Sequence, residues 1–330
     1  MRAPGFWRRG EGGMASALLR PLGWLYDVGG QINQAAGVSV KAPVPVICVG
    51  NVVAGGAGKT PVAIAIGQRL HAAGVGLHYL SRGYGGSESG PHRVDASVDA
   101  ASRVGDEPLL LARVAPTWVA RDRVQGAASI VDAGGQVIVM DDGLQNGALV
   151  KDMSFCVIDG SYGIGNGRVI PAGPLRESLE NALKKSTAVV LVGDDTAGIT
   201  GIVSQLSPEM PILNARLKAD ITGFDPTARP LHAFAGIAQP EKFFTTLRGL
   251  GCDLKKTTSF ADHHPFSDDE LARLVADAQA DKALLLTTEK DYVRLEPDWQ
   301  DAVMALHVAI EWQDEGRLDT LLNPLFFESA

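Results

Sequence analysis

The chain has 330 residues, 45% hydrophobic and 21% charged, a balance that fits a folded globular protein rather than a disordered one. Its 38 acidic and 30 basic residues leave a formal charge of −8, which gives no support to non-specific nucleic-acid binding. The three cysteines, Cys48, Cys156 and Cys252, form no CxxC pair, so buried free thiols are expected rather than a zinc site or a disulfide framework.

In chain order, the N-terminal end is apolar, aromatic and locally basic. Met14, Leu18, Leu22, Leu25 and Ile32 recur at near-helical steps, while Arg20, Asp27 and Gln31 fall on another face. Arg2, Arg8, Arg9 and Arg20 outnumber Glu11. A basic amphipathic segment carrying Trp7 and Trp24 suits an interfacial helix on anionic lipid. The same pattern also fits a helix docked on the protein's own core. No apolar run reaches the roughly 18–20 residues that span a bilayer, and no signal peptide is expected.

From residue 44 short apolar runs alternate with helical stretches. Strands are expected over 44–49, 75–80, 117–120, 136–140, 154–158 and 188–192. Helices are expected over 59–73, 107–114, 123–132 and 175–185. That alternation predicts a doubly wound, largely parallel α/β sheet. Residues 219–230 are turn-rich, and the alternation restarts beyond them. Strands follow over 231–235, 283–287 and 303–308, with a helix over 241–250. A capping box from Ser267 to Glu270 opens another helix. The chain thus divides into a membrane-associating segment (1–40), a core domain (41–218), a hinge or linker (219–230) and a smaller α/β domain (231–330).

The strongest local signal is the loop Gly55, Gly56, Ala57, Gly58, Lys59 and Thr60, set between a buried strand and a helix. Glycines let backbone N–H groups curl around phosphate oxygens, and the helix N-terminus favours negative charge. In such a P-loop Lys59 reaches the outer phosphates and Thr60 offers its hydroxyl to Mg²⁺. Val53 stands where the full pattern has its first glycine. Partition-type ATPases carry a signature lysine before the two glycines, and Ala54 occupies that place here. The strand over 136–140 delivers Asp141 and Asp142 to the sheet edge where ligands bind, so the pair is a candidate metal site. Asp106 and Glu107, just before a helix, read locally as a helix start with acid in its first turn. Asp262-His263-His264 admits three local readings: metal site, general base, or imidazoles bonded to backbone.

Eight motifs in order resemble the tetraacyldisaccharide 4′-kinase family, the lipid A 4′-kinases. They are Gly-Gly-Ala-Gly-Lys-Thr-Pro (55–61), Ser-Arg-Gly-Tyr-Gly-Gly (81–86), Gly-Asp-Glu-Pro (105–108), Asp-Asp-Gly-Leu-Gln (141–145), Pro-Ala-Gly-Pro-Leu-Arg-Glu (171–177), Phe-Ala-Gly-Ile (234–237), Asp-His-His (262–264) and Thr-Thr-Glu-Lys-Asp (287–291). The resemblance covers nearly the whole chain. It implies a P-loop kinase core that uses ATP and Mg²⁺ to phosphorylate the 4′-hydroxyl of a tetraacylated glucosamine disaccharide 1-phosphate, giving lipid IVA. By the same resemblance Asp106 and His263 are the catalytic pair and Asp141 and Asp142, with Thr60, sit at the metal. Arg123, Arg176 and Glu177 line the nucleotide site. The implied partners are the lipid substrate and a membrane surface, with neither nucleic acid nor a protein partner, at the cytoplasmic face of a bacterial inner membrane. Asn146 departs from the family, which usually has His there, so a role for that His does not carry over.

Overall fold

The computed structural model describes residues 4–222, 225 and 227–326. Among the described residues, twelve strands form one sheet: β1 (Val46–Asn51), β2 (Leu77–Ser81), β3 (His92–Arg93), β4 (Thr117–Val119), β5 (Val137–Asp141), β6 (Met153–Asp159), β7 (Ala188–Val192), β8 (Ile212–Asp220), β9 (Leu231–Ala235), β10 (Leu254–Ser259), β11 (Leu284–Thr288) and β12 (Met304–Trp312). Their spatial order is β10-β9-β11-β12-β8-β7-β6-β1-β5-β2-β4-β3. Pairing is parallel except where β12 meets β8 and β3 meets β4. The expected fold class therefore stands: a largely parallel α/β sheet with helices on its faces.

The helices are α1 (Gly13–Ala36), α2 (Lys59–Ala72), α3 (Ala101–Val104), α4 (Asp106–Ala112), α5 (Arg123–Asp132), α6 (Leu179–Lys184), α7 (Ile199–Leu206), α8 (Pro240–Gly249), α9 (Asp268–Ala280), α10 (Glu289–Tyr292), α11 (Pro297–Gln300) and α12 (Glu315–Phe326). Strands β1, β5 and β7 are buried along their whole length, as continuous apolar runs in a parallel sheet covered on both faces must be. One face packs Ile47, Val139 and Phe155 against Val62 and Ile66 of α2 and Leu318 and Leu322 of α12. The other packs Cys156, Ile158 and Leu191 against α6 and α7. Each fully buried large apolar side chain contributes about 1.5–3 kcal/mol. The C-terminal strands carry their own apolar clusters on both faces, around Phe244 and Phe234.

Three local expectations need revision. The helix expected over 175–185 starts only at Leu179, because Ser178 caps it by accepting from the Asn181 N–H. Upstream of that cap, Leu175 bridges Val53 and Val169, so the segment is a run of turns and bends held against the stem of the glycine loop. Strand β8 was not foreseen; it runs on through Ala219 and Asp220 and pairs antiparallel with β12, which is longer than expected. Of the expected hinge, residues 223, 224 and 226 lie outside the described residues.

Helix α1 docks through small residues. Ser16 is fully buried, its hydroxyl bonds to the Ala172 carbonyl, and Gly23 sits so close that a Cβ there would lie 2.8 Å from the Val169 carbonyl oxygen. Met14, Leu18, Leu22, Trp24, Leu25 and Ile32 all point to solvent. Among the described residues, no helix is long and apolar enough to cross a membrane.

Candidate active site

Strand β1 lies between β5 and β6, and Val49 of β1 stands in register with Asp141 of β5. That register sets the glycine loop after β1 beside the acids that end β5. Gly58, at φ +82°, is the N-cap of α2, and Gly55, at φ +132°, turns the loop; both are conformations that side chains with a Cβ rarely adopt. The loop's first stem is fixed by the Ala54 N–H donating to the Pro174 carbonyl at 2.8 Å. The 171–177 segment is therefore a support for the phosphate loop. A Cβ placed on Gly56 would touch Ala238 at 3.7 Å, so the loop faces the C-terminal strands.

At the start of α2 the Thr60 hydroxyl donates to Asp141 Oδ2 at 3.0 Å. Asp141 is 2% exposed, and its Oδ1 has no hydrogen-bond partner among the described residues. Burial pushes its carboxyl up to about 7, against the pull of Lys59 and with further upward pressure from Asp142 and Glu107. Asp142 takes a left-handed backbone at φ +57°, which turns its carboxylate toward Lys59 Nζ at 3.6 Å and Arg176 Nη1 at 2.7 Å. Burial alone would raise Asp142, but the two cations outweigh it and hold the group below the usual carboxylate range. Two adjacent carboxylates are thus driven in opposite directions by their surroundings. A buried carboxylate oxygen with nothing to bond, next to a hydroxyl and a second acid, is a donor set that fits a divalent cation.

Gln145 extends this network by donating to Glu177 Oε1 and to the Asn51 carbonyl, each at 3.0 Å. Glu177 is buried and also paired with Lys185, so it braces Gln145 from behind. Arg123, the first residue of α5, is 4% exposed. Its Nη1 bonds the Ala120 carbonyl, its Nε has no partner, and it forms no ion pair among the described residues. Burial, with Arg82 nearby, lowers it to about 10. A desolvated guanidinium with no counter-ion is a ready receptor for an anion. Asn146 instead closes its own loop, its Oδ1 accepting from the Ala148 and Leu149 N–H groups at 3.2 and 3.3 Å.

Asp106 opens α4, yet its side chain does not serve the helix. Oδ2 receives His263 Nδ1 at 3.2 Å and Arg294 Nε at 2.9 Å, with Lys290 Nζ at 3.8 Å. Burial would raise this carboxyl, but the His263 hydrogen bond and the charges of Lys290 and Arg294 prevail and hold it far below the ordinary range. Glu107 moves up instead, because it is buried beside Asp106, although Lys290 bonds it at 2.8 Å. His263 has φ +56°, an uncommon conformation for a side chain with a Cβ, and its N–H donates to the Gly236 carbonyl. In the tautomer that donates Nδ1–H to Asp106, Nε2 keeps the lone pair and accepts from Lys290 Nζ at 3.4 Å. His264 stacks on Phe260 and bonds Glu270 at 3.0 Å, so the two neighbouring imidazoles have different jobs. Among the described residues, Asp106, Glu107 and His263 also bring three ligand-type atoms close together.

The expected site residues therefore gather as two connected groups: Lys59, Thr60, Asp141, Asp142 and Arg176 around the loop, and Asp106 with His263 beside it. Glu107 links them: it is a hydrogen-bond partner that lowers Asp106, and its charge raises Asp141. Lys290, Arg294 and Lys185 were not foreseen. Lys290 lay inside a recognised motif, but its partner is 183 residues away.

A strand, a glycine loop and a helix in succession, with an acid supplied by the neighbouring strand, are the layout of the P-loop phosphotransferases, and that is the class to which fold and site assign this chain. A solved structure with the same fold is that of LpxK from Aquifex aeolicus, an "apo" form described as in complex with ATP. It has a TM-score of 0.74 and 24% identity, over 95% of this chain and all of that one. Residues 15–326 match the tetraacyldisaccharide-1-P 4′-kinase family. Among curated relatives, the tetraacyldisaccharide 4′-kinase of Paramagnetospirillum magneticum is 48% identical over 99% of this chain and 98% of its own length. That of Rhodospirillum centenum is 47% identical over 98% and 97% respectively. The chain belongs to the tetraacyldisaccharide-1-P 4′-kinase family and is a kinase.

Proposed function

We propose that the protein transfers the γ-phosphoryl group of ATP to the 4′-hydroxyl of a tetraacylated glucosamine disaccharide 1-phosphate, a step of lipid A biosynthesis. The observation that carries the reading is the meeting of Asp106 and His263 beside the glycine loop. Backbone N–H groups of residues 55–60 and the start of α2 cradle the phosphates, with Lys59 neutralising the outer ones. Thr60, Asp141 and Asp142 would hold Mg²⁺, which would supply positive charge to neutralise the transferring phosphates. Arg123 takes an anionic oxygen of the nucleotide or the acceptor. Arg176 and Glu177, through Gln145, keep Asp142 in place.

A sugar hydroxyl is a weak nucleophile near neutral pH, so the reaction gains from a base. His263 Nε2 accepts the 4′-hydroxyl proton, and Asp106 fixes the imidazole and stabilises its charged form. The hydroxyl has to displace Lys290 from Nε2 to reach it. Residues 41–218 act as the core, 231–330 as a smaller domain, and 219–230 as the hinge that lets His263 approach and leave Asp106. Helix α1 lays its exposed apolar face in the bilayer interface at the cytoplasmic side of the inner membrane. Beyond the lipid and that surface the reading requires no partner.

Transfer of ³²P from ATP to the disaccharide lipid, followed by thin-layer chromatography, tests this. Labelled lipid from the wild type is expected, with kcat lower by about 10²–10⁴-fold in Asp106→Ala and His263→Ala. Lipid-independent ATP hydrolysis with no labelled lipid would overturn the reading.

A further inference from the structure

The carboxylate that orients His263 is itself gripped from the C-terminal part of the chain. Arg294 is two residues beyond α10, and its side chain is 9% exposed. Its Nε and Nη2 both donate to Asp106 Oδ2, the first at 2.9 Å. Its Nη1 donates to Asp291 Oδ1 at 2.9 Å and to the Gly236 carbonyl at 3.0 Å. Asp291 is fully buried and held in turn by the Thr288 hydroxyl at 2.7 Å and the Gly236 N–H at 3.0 Å. The guanidinium is therefore aimed before it meets Asp106. Val293, its neighbour in sequence, is buried among Val94, Val104, Leu109 and Val119 of the first domain. Apolar packing seats this segment exactly where the ion pair forms across the two halves of the chain.

We propose that Arg294 is a positioning residue for phosphoryl transfer: braced by Asp291 and Gly236, it fixes the Asp106 carboxylate so that His263 presents Nε2 to the acceptor hydroxyl. This rests on the kinase reading above. Arg cannot lose its charge near neutral pH, and its planar fork serves several acceptors at once. It therefore keeps Asp106 ionised and still, and it does so only while α10 rests on the first domain. The other charged groups facing the pair are Lys290 and Glu107, with Asp262 Oδ1 at 3.9 Å from His263 Nε2. Lys290 is a point charge at 3.8 Å and offers Asp106 no such fork.

The test uses the full chain in detergent micelles with ATP and the acceptor lipid, comparing Arg294→Gln, Arg294→Lys, Asp106→Asn and the double variant Asp106→Asn/Arg294→Gln. Loss of alignment at the reacting atoms costs roughly 10²-fold. Arg294→Gln is expected to lower kcat by about that factor, with KM for ATP within about threefold and a displaced acid limb of kcat/KM. Arg294→Lys is expected to recover part of the rate. In the Asp106→Asn background, Arg294→Gln should cost less than about threefold, because the two residues act as a unit. Melting temperature and ATP-analogue binding report folding, and Arg294→Lys carries the same comparison if Arg294→Gln does not fold. An impaired Asp106→Asn beside a fully active Arg294→Gln would overturn this proposal alone. So would an equal loss from Arg294→Gln in both backgrounds. A fully active Asp106→Asn would overturn the base reading and this proposal with it.

Discussion

Asp141 gives a prediction whose size follows from its surroundings. Its side chain is buried, one oxygen accepts from Thr60, and the other has no partner among the described residues. A carboxyl that moves from 3.8 to about 7 on folding favours the protonated form in the native state. It therefore adds stability in full below about 3.8 and loses it as pH rises through about 7, where the buried charge has to be carried. The whole effect is on the order of 4 kcal/mol. Asp141→Asn removes the charge at every pH but keeps the shape and an acceptor for Thr60. Any misfit of its amide is the same at each pH, so the slope carries the test. The stability difference between variant and wild type is expected to grow in the variant's favour by roughly 2–3 kcal/mol from pH 5 to pH 8. Urea unfolding followed by tryptophan fluorescence, in mild detergent with EDTA, measures it. With Asp141 in its proposed role as a Mg²⁺ ligand, saturating Mg²⁺ should shrink the gap by favouring the ionised carboxylate of the wild type. A difference that stays flat across that pH range would refute the argument.

Asn146→Ala should lose about 1 kcal/mol of stability by freeing two backbone N–H groups, while kcat stays within about twofold, checked by unfolding and turnover side by side. Lys290→Met removes the positive charge beside Asp106, Glu107 and His263 Nε2. Lys290 lowers both carboxyls, so the acid limb of kcat/KM should move up without it, and an unchanged pH profile would refute that. Deleting residues 1–35 should release the protein from anionic vesicles in flotation assays and weaken lipid turnover more than ATP binding. Retention on the vesicles would count against an interfacial α1.

The parts of the site that could be read in the sequence are those made within short stretches. The glycine loop, its flanking strand and helix, and the Asp141-Asp142 strand end are local patterns, and β1 and β5 then place them side by side. The capping box at Ser267 also stands as expected, since it depends on residues three apart. The grip on Asp106 has no local signature: Arg294 lies 188 residues away along the chain, with β4 to β11 intervening in sequence. Residues 175–178 misled for a different reason. Leu175 and Leu179 suit a helical pattern, but the bridges to Val53 and Val169 outweigh that weak preference. Strand β8 escaped because much of it is exposed, so its residues did not form a buried apolar run. For α1 the periodicity located the helix, but the docked side turned out to be the one with small residues rather than the large apolar ones.

The stretch between Val169 and Ser178 has a neighbour on each side. From one side Trp7 bonds the Pro171 carbonyl, Ser16 bonds that of Ala172, and Asp27 receives the Ser178 N–H at 3.2 Å. From the other, the stem of the glycine loop hangs on Pro174 and Leu175. Helix α1 and the glycine loop thus stand on a common shelf, the stretch from Val169 to Ser178. A tilt of the helix would press on the same few peptide groups that hold the loop's stem, so the pose of the one bears directly on the shape of the other.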